Sequence, residues 1–327
     1  MSNPDNKTSL FQFLAEKDNY FKCNLYQDVI ATKLDQVVIL HSSDPTSIDI
    51  TDITPSDHEE ADSRIYLHCL HASNIGLKNI MIVTVDSDVV VLAVHLFVKL
   101  NLEYLWVKFG VGKHIKFIAV HEIVSALTPQ YCSGILFFHA FTGCDTVSSF
   151  ENHGKKSAWM TWKRFPQISE TFAKLSTASE LNMEDCREIE SFVIEMYHKG
   201  LTGKNIDVAR KNLVFGKACP PDKLPPTSAA LRNHSLRALH QAGHIWGQSL
   251  VKNQRLQDRH DFGWKNNASG AWVPFWSHLP PASQSDINKN CGCKNKICKG
   301  NCNCRRLRMN CTTLRVCKAQ CKVESQN

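Results

Sequence analysis

The stretch that decides the fold runs from Ile80 to Asp88 and reads IMIVTVDSD. Its first six residues are mostly apolar and β-branched, which is typical of a strand buried on both faces of a sheet. Asp86-Ser87-Asp88 then closes the run at the point where a helix is expected to begin. In open α/β sheets, ligands bind at this carboxyl end of the strands. The sequence therefore predicts a parallel strand that presents carboxylates at a ligand-binding edge.

Three further runs have the composition of strands, namely residues 36–41, 104–109 and 115–120. A helix is predicted between the strand at 36–41 and the strand that begins at Ile80, with Ser56 as its N-cap and Glu59 at the capping-box position. Strands that alternate with helices predict an α/β fold, with a parallel sheet flanked by helices. The other helical stretches are expected at residues 88–99, 121–127, 146–162 and 180–199.

Size and composition indicate a soluble globular chain. The 327 residues, 43% of them hydrophobic and 21% charged, can bury a substantial core in one main domain with smaller modules. The most apolar segment, residues 80–98, is interrupted by two aspartates, and the N-terminus lacks a basic-then-apolar signal pattern. We therefore expect neither a membrane span nor secretion.

Composition divides the chain into three predicted parts. Residues 1–215 are expected to form the α/β domain, and residues 291–321 a cysteine-rich module. Residues 216–290 hold a Pro-rich linker, a helix from Ser228 to about Gln248, and a Trp-rich segment at 264–280. We favour packing of these tryptophans on the main domain, with stacking on nucleic-acid bases as the alternative.

Five acidic residues, Glu60, Asp62, Asp86, Asp88 and Asp145, are candidate ligands of hard cations such as Mg²⁺ or Mn²⁺. Asp145 follows the apolar run 135–138 and is expected to open a helix, as Asp86 does. N-capping is the alternative role for both aspartates. Side chains two residues apart point to different sides of a regular helix. For Asp62 to share a site with a second carboxylate, either Glu60 lies in an irregular first turn or Glu59 is the second carboxylate.

The segments His58–Asp62, Thr84–Asp88 and Thr142–Thr146 resemble motifs of the PIN-like, flap-endonuclease (XPG-type) superfamily. More closely, the chain resembles uncharacterised animal proteins associated with mobile elements. The resemblance implies that the five carboxylates hold two Mg or Mn ions for phosphodiester hydrolysis. It also implies that Lys155 and Lys156 contact a nucleic-acid backbone. The first-strand Asp that is typical of such folds has no clear counterpart here.

Eight cysteines are packed into the C-terminal part without the apolar residues of a core. Tetrahedral zinc binding by thiolates would organise such a segment, and disulfides are the alternative. The set consists of Cys291, Cys293, Cys298, Cys302, Cys304, Cys311, Cys317 and Cys321. It resembles the CXC domains of tesmin-type proteins, in which nine cysteines hold three zinc ions. Eight thiolates satisfy two isolated sites.

The net charge of +7 is concentrated in the same tail, where residues 291–327 contain nine Lys or Arg and the single acid Glu324. Such a tail favours binding of a polyanion, with a merely solvated tail as the alternative. Arg305, Arg306 and Arg308 are the candidate phosphate contacts. DNA is the favoured partner over RNA, and the nucleus is the favoured location over the cytoplasm.

Two functional hypotheses follow from these patterns. The first is a divalent-metal nuclease delivered to nucleic acid by a zinc-bound tail. The second is a catalytically inactive protein, either one that binds DNA or chromatin or one derived from a mobile element.

Overall fold

The computed structural model describes residues 27–200, 205–216 and 224–277, together with Phe13. It is a mixed α/β structure with two compact units. The first unit comprises the described residues up to Leu136 and Gly243–Leu256, and the second comprises Phe137–Ala242 and the described residues from Gln257 onward. The predicted cysteine-rich module at 291–321 lies outside the described residues.

The strands and helices of the first unit alternate over most of its length. They are β1 Val29–Lys33, β2 Gln36–His41, α1 Ala61–Asn74, β3 Asn79–Thr84, α2 Ser87–Leu96, β4 Tyr104–Phe109, β5 Lys116–Ala119, α3 Val120–Ala126 and α4 Pro129–Phe141. The last helix continues into the second unit. The three strands that follow α1 match the predicted runs within one residue at each end.

The sheet of the first unit is only partly parallel. β3 and β4 pair in parallel from Asn79 opposite Tyr104 to Thr84 opposite Phe109. β5 pairs antiparallel with β4, because only a short turn joins the two strands. β2 forms a separate antiparallel hairpin with β1. Parallel pairing is therefore found for β3 with β4, and the prediction of a parallel sheet is wrong for β2 and β5.

The start of α1 corrects the capping prediction. The N-cap is Glu60, and its side chain makes no capping hydrogen bond. Ser56 instead belongs to an irregular segment, where its N–H donates to Asp35 O at 2.7 Å in the β1–β2 turn. His58 anchors the same segment, with its ring nitrogens 2.9 Å from Ser63 Oγ and 2.7 Å from Val251 O. Because these tertiary hydrogen bonds hold Ser56 and His58 outside the helix, the N-cap lies four residues later than predicted, at Glu60 instead of Ser56.

Over its described residues, the second unit consists mainly of helices, with one short hairpin. Its elements are α5 Lys155–Arg164, α6 Ile168–Leu175, α7 Met183–Tyr197, α8 Ile206–Gly216, α9 Ser228–Leu239, β6 Trp264–Asn266 and β7 Trp272–Pro274. The predicted helix from Ser228 is confirmed, since short π and 3-10 turns extend α9 to Gln248. The helix predicted at 146–162 begins only at Lys155.

An aromatic cluster forms the core of the second unit. Phe172 on α6 is fully buried. Its ring centroid lies 5.0 Å from that of Trp162 on α5, 5.2 Å from that of Phe192 on α7 and 5.6 Å from that of Phe137 on α4. Such tilted and edge-on pairs add to the stabilisation that burial of aromatic surface gives. The apolar run 135–138 therefore lies within α4, and its last two residues, Phe137 and Phe138, pack in this core.

The buried His234 on α9 is held neutral. Its Nε2–H donates to Phe141 O at 2.7 Å, and its ring packs against Phe141 and Phe150. Burial lowers its pKa to about 4 and the charge of Arg237 acts in the same direction, while the hydrogen bond to Phe141 opposes them.

We expect the free energy of unfolding to fall as the pH drops from 6.5 towards 4. In that window the unfolded state binds a proton at this histidine and the folded state does not. Denaturant titrations of the wild type and of His234→Gln across this pH window measure the effect. The difference between their free energies of unfolding should become smaller as the pH falls. His114→Gln, an exposed control, should show the same pH dependence of the free energy of unfolding as the wild type. A difference between the wild type and His234→Gln that stays constant with pH would contradict the assignment.

Within the described ranges, none of the helices has the length and apolar character needed to cross a bilayer.

Candidate functional site

Four of the five candidate carboxylates lie at the starts of α1 and α2. Glu60 is the N-cap of α1 and Asp62 lies in its first turn. Asp86 is the N-cap of α2 and Asp88 lies in its first turn. All four side chains are half-buried. Negative charge is favourable at helix N-termini, so each position is electrostatically suited to a carboxylate.

One hydrogen bond joins the two helix starts. Tyr66 on α1 and Val89 on α2 are both fully buried, and the Tyr66 hydroxyl donates to Val89 O. Asp62 precedes Tyr66 by one turn of α1, and Asp86 precedes Val89 by three residues. The four carboxylates therefore lie within about two helical turns of this bond along their own helices. Burial raises the pKa of Tyr66 well above its ordinary value, and the charge of Asp62 contributes in the same direction.

The capping interpretation of Asp86 is confirmed. Its Oδ1 accepts from Asp88 N at 2.8 Å, and its own N–H donates to Thr84 Oγ1 at 3.0 Å. These bonds fix the carboxylate at the junction of β3 and α2. Capping by one oxygen is compatible with cation binding by the other.

Glu60 adopts the irregular backbone that one of the two sequence alternatives required. Its φ of −87° and ψ of 127° are extended, so the angle that separates residues two apart on a regular helix does not apply to Glu60 and Asp62. Glu59 lies outside the helix and is exposed.

A basic turn lies at the same end of the sheet. Because β3 and β4 are parallel and in register, the turn that follows Phe109 lies beside the turn that follows Thr84, and Gly110 N donates to Thr84 O at 3.0 Å. The turn carries Lys113 and His114, both exposed. Gly110 has φ +95°, and an added Cβ would lie 2.8 Å from His114 O, so glycine is required.

Gly110–His114 joins β4 to β5 as a turn. No function was predicted for this turn from the sequence. The missing signal was the parallel register of β3 and β4, which brings Lys113 to the edge that carries Asp86.

Asp145 belongs to the second unit and is exposed. The prediction that it opens a helix is wrong, because it lies in a bend after α4. Cys144 and Val147 close this bend with backbone hydrogen bonds of 2.9 and 3.2 Å. Gly143, at φ +112°, packs so closely that an added Cβ would lie 2.9 Å from Ser149 Cβ. The described part of the chain contains no group of three or more His, Cys, Asp or Glu side chains arranged to hold a metal ion.

The two candidate backbone-binding lysines differ in their surroundings. Lys155 Nζ donates to His139 O at 2.6 Å, to Gly143 O at 2.5 Å and to Thr142 Oγ1 at 3.3 Å. An ammonium has three hydrogens, so these bonds engage them all at the C-terminal end of α4. Lys156 is exposed to solvent.

The Trp-rich segment is divided between packing and exposure. The ring centroids of Trp264 and Trp276 both lie 5.9 Å from the guanidinium carbon of Arg237 on α9. Trp264 is half-buried, but Arg237 lies in the 216–290 part of the chain, so packing on the predicted main domain stays a prediction. Trp276 is 61% exposed and Phe275 is 43% exposed. Exposed aromatic rings beside cations are the components of a base-stacking surface.

The eight cysteines and Arg305, Arg306 and Arg308 lie outside the described residues. Their assignment to zinc and to phosphate contacts stays a prediction.

No protein-family model, no curated protein and no solved structure matches this chain. The fold and site described above are therefore the basis of any functional conclusion.

Proposed function

We propose that this protein is a divalent-cation-dependent nuclease of PIN-like type that acts on nucleic acid, with DNA favoured over RNA and the nucleus over the cytoplasm as its location. The observation that carries the proposal is the common end of α1, β3 and α2. Half-buried carboxylates there lie on two helices joined by the Tyr66–Val89 hydrogen bond, beside a turn that carries Lys113.

The donor chemistry fits Mg²⁺ or Mn²⁺, which bind carboxylate oxygens. Mg²⁺ commonly takes one or two carboxylates and completes its shell with water and substrate phosphates. Such a site needs fewer protein ligands than a structural metal cage, so Asp86 and Asp62 suffice as its protein part. A bound cation would polarise the phosphate and lower the pKa of a water molecule.

The chain's own residues would orient the substrate. The capping hydrogen bond holds the Asp86 carboxylate at the end of β3, and Lys113 would attract the phosphate backbone from the adjacent turn. Asp145 and Lys156 belong to the second unit, and their predicted roles in metal and backbone binding stay predictions. The cysteine tail, with thiolate donors suited to zinc, is proposed to supply sequence-independent affinity.

Incubation of the purified full chain with end-labelled single-stranded, flapped and duplex DNA tests the proposal. We expect cleavage of at least one substrate in Mn²⁺ and none in EDTA. Intact substrates throughout, while the protein still binds them, would reject the nuclease and leave the second candidate.

That second candidate is a nucleic-acid-binding protein without cleavage activity. The exposed aromatic surface of the β6–β7 hairpin favours it. Besides Phe275 and Trp276, this surface includes Trp272, which is 37% exposed and lies 5.9 Å from the Arg259 guanidinium carbon. Lys265 lies 5.7 Å from the Phe275 ring.

We expect Trp276→Ala to weaken binding of a single-stranded oligonucleotide, because one stacked base contributes about 1–3 kcal/mol. Fluorescence anisotropy with labelled oligothymidine measures the loss. Phe117→Ala removes an exposed aromatic ring from the first unit and is the matched control. Equal affinity of the Trp276 variant and the wild type would remove this surface from the nucleic-acid interface.

A further inference from the structure

The second unit contains a cavity of ≈310 Å³ bordered by residues of α7 and α9 and by Asn205 at the start of α8. Its buried wall is formed by Ile189, Leu231, Glu190 and Ser235. A cavity of this size, lined by both apolar and polar side chains, can hold a small molecule. The proposed nuclease function uses none of its residues.

Ser235 is an unusual polar group in this wall. The residue is 1% exposed, and its hydroxyl has no hydrogen-bond partner within the described chain. A serine inside a helix commonly donates to the carbonyl four residues earlier, as Ser191 does to Arg187 O at 3.0 Å on α7. Ser235 makes no such bond. A buried hydroxyl that lines a cavity and lacks a partner indicates a ligand with a hydrogen-bond acceptor at that point.

The carboxylate of Glu190 is already occupied. Its Oε2 accepts from Ile206 N at 3.0 Å, and its Oε1 accepts from the Ser228 hydroxyl. These bonds tie α7 to the starts of α8 and α9 and so build the cavity. The side chain therefore serves as a structural wall.

Two arginines stand at the cavity's rim. Arg187 on α7 and Arg232 on α9 both line it and are exposed. Neither guanidinium has an ion-pair partner among the residues that the structure describes. Arginine side chains that line one cavity from different helices supply the fork of N–H donors that binds a carboxylate or a phosphate.

We propose that this cavity binds a small organic anion, with its oxyanion held by Arg187 and Arg232, its apolar body against Ile189 and Leu231, and an acceptor at its inner end bonded to the Ser235 hydroxyl. The shared chemistry of the ligand is a terminal oxyanion on a compact organic body. The oxyanion is either a phosphate monoester or a carboxylate.

Calorimetric titration of the full chain distinguishes these two sources. The probes are uridine 5′-monophosphate, 4-hydroxybenzoate and inorganic phosphate, with EDTA present so that a cation site cannot contribute. We expect one of the two organic probes to bind with a millimolar or tighter Kd, and inorganic phosphate to bind more weakly because it lacks the organic body. Absence of binding by both organic probes would overturn the proposal.

Variants locate the binding. Arg187→Gln and Arg232→Gln should each weaken it about tenfold, as loss of a charge-assisted hydrogen bond does. Both residues are exposed, so these proteins should fold. Ser235→Ala should weaken binding several-fold. Lys199→Gln, an exposed cation beyond the end of α7, should leave it unchanged. Binding that falls equally in Lys199→Gln and the arginine variants would contradict a specific site.

Cys186 provides an independent readout, because this half-buried thiol lines the same cavity. Burial raises its pKa, partly offset by the charge of Arg232. Peptide-level alkylation at alkaline pH should be slowed at Cys186 by the bound probe and unchanged at Cys144. Equal alkylation of Cys186 with and without a bound probe would place the ligand elsewhere.

Discussion

Replacement of Asp86 by asparagine is expected to lower the rate of Mn²⁺-dependent DNA cleavage by roughly 100-fold or more. Loss of residues that merely orient metal ligands already costs about 10–100-fold. Asparagine is as good an N-cap as aspartate, so Asp86→Asn keeps the capping interaction and removes the charge. Initial cleavage rates at matched protein concentration, with circular dichroism to confirm folding, measure the effect.

Glu103→Gln is the matched control for this prediction. Glu103 is an exposed carboxylate that precedes β4, at the opposite end of the same sheet. Its loss changes the net charge of the chain by the same amount, so a general charge effect would act on both variants. We expect Glu103→Gln to cleave at the wild-type rate. Equal rates for Asp86→Asn and the wild type would show that the cleavage comes from another protein or another site.

Phe172→Ala is expected to destabilise the second unit by about 3–5 kcal/mol, the usual cost of removing a buried phenylalanine ring. Phe172 is fully buried between the aromatic rings of α4, α5 and α7, so its loss leaves a cavity that these rings cannot all fill. Urea unfolding followed by tryptophan fluorescence measures the change, since Trp162 belongs to the same cluster.

Met160→Ala on α5 is the control for the core prediction. Met160 is 48% exposed, so its loss should change stability by less than about 0.5 kcal/mol. A Phe172→Ala protein as stable as Met160→Ala would show that the aromatic cluster is not the core of this unit.

Local patterns predicted the strands of the first unit well. Residues 104–109 were predicted as a strand and form β4 with the same bounds. Aromatic and β-branched residues favour strands, so the composition of the run itself carries the signal. The junction at Asp86 was predicted from a local signal, an apolar run followed by a capping residue. The prediction that this strand is buried on both faces is wrong, because Met81 is 53% and Val83 is 66% exposed.

The failures are nonlocal. β1 has the mixed composition Val-Ile-Ala-Thr-Lys and was missed, because its formation depends on pairing with β2. Arg64 on α1 also ties down the hairpin turn, by donating to Leu34 O and to Gln36 O. Arg64 lies 30 residues from Leu34 along the chain, outside any local window around β1.

The candidate site divides in the same way. Asp86 was placed at a helix start from a local pattern, and the structure has it there as the N-cap of α2, with Asp88 in the first turn. Glu60 and Asp62 lie at the start of α1 only because that helix begins four residues later than the pattern at Ser56 predicted. Asp145 was expected to open a helix. The apolar run before it instead belongs to α4, and Asp145 lies in the bend that follows this helix. Lys155 was selected by resemblance alone, and its hydrogen bonds to the end of α4 could not be inferred from spacing.

The central claim is that the common end of α1, β3 and α2 binds the cation that acts on phosphodiesters. An anomalous difference map from a crystal of the full chain with Mn²⁺ and a non-hydrolysable phosphorothioate oligonucleotide tests it directly. We predict a peak about 2 Å from a carboxylate oxygen of Asp86, with the phosphorothioate completing the coordination shell. A peak only at other residues, or a bound oligonucleotide with no Mn²⁺ at Asp86, would contradict the account.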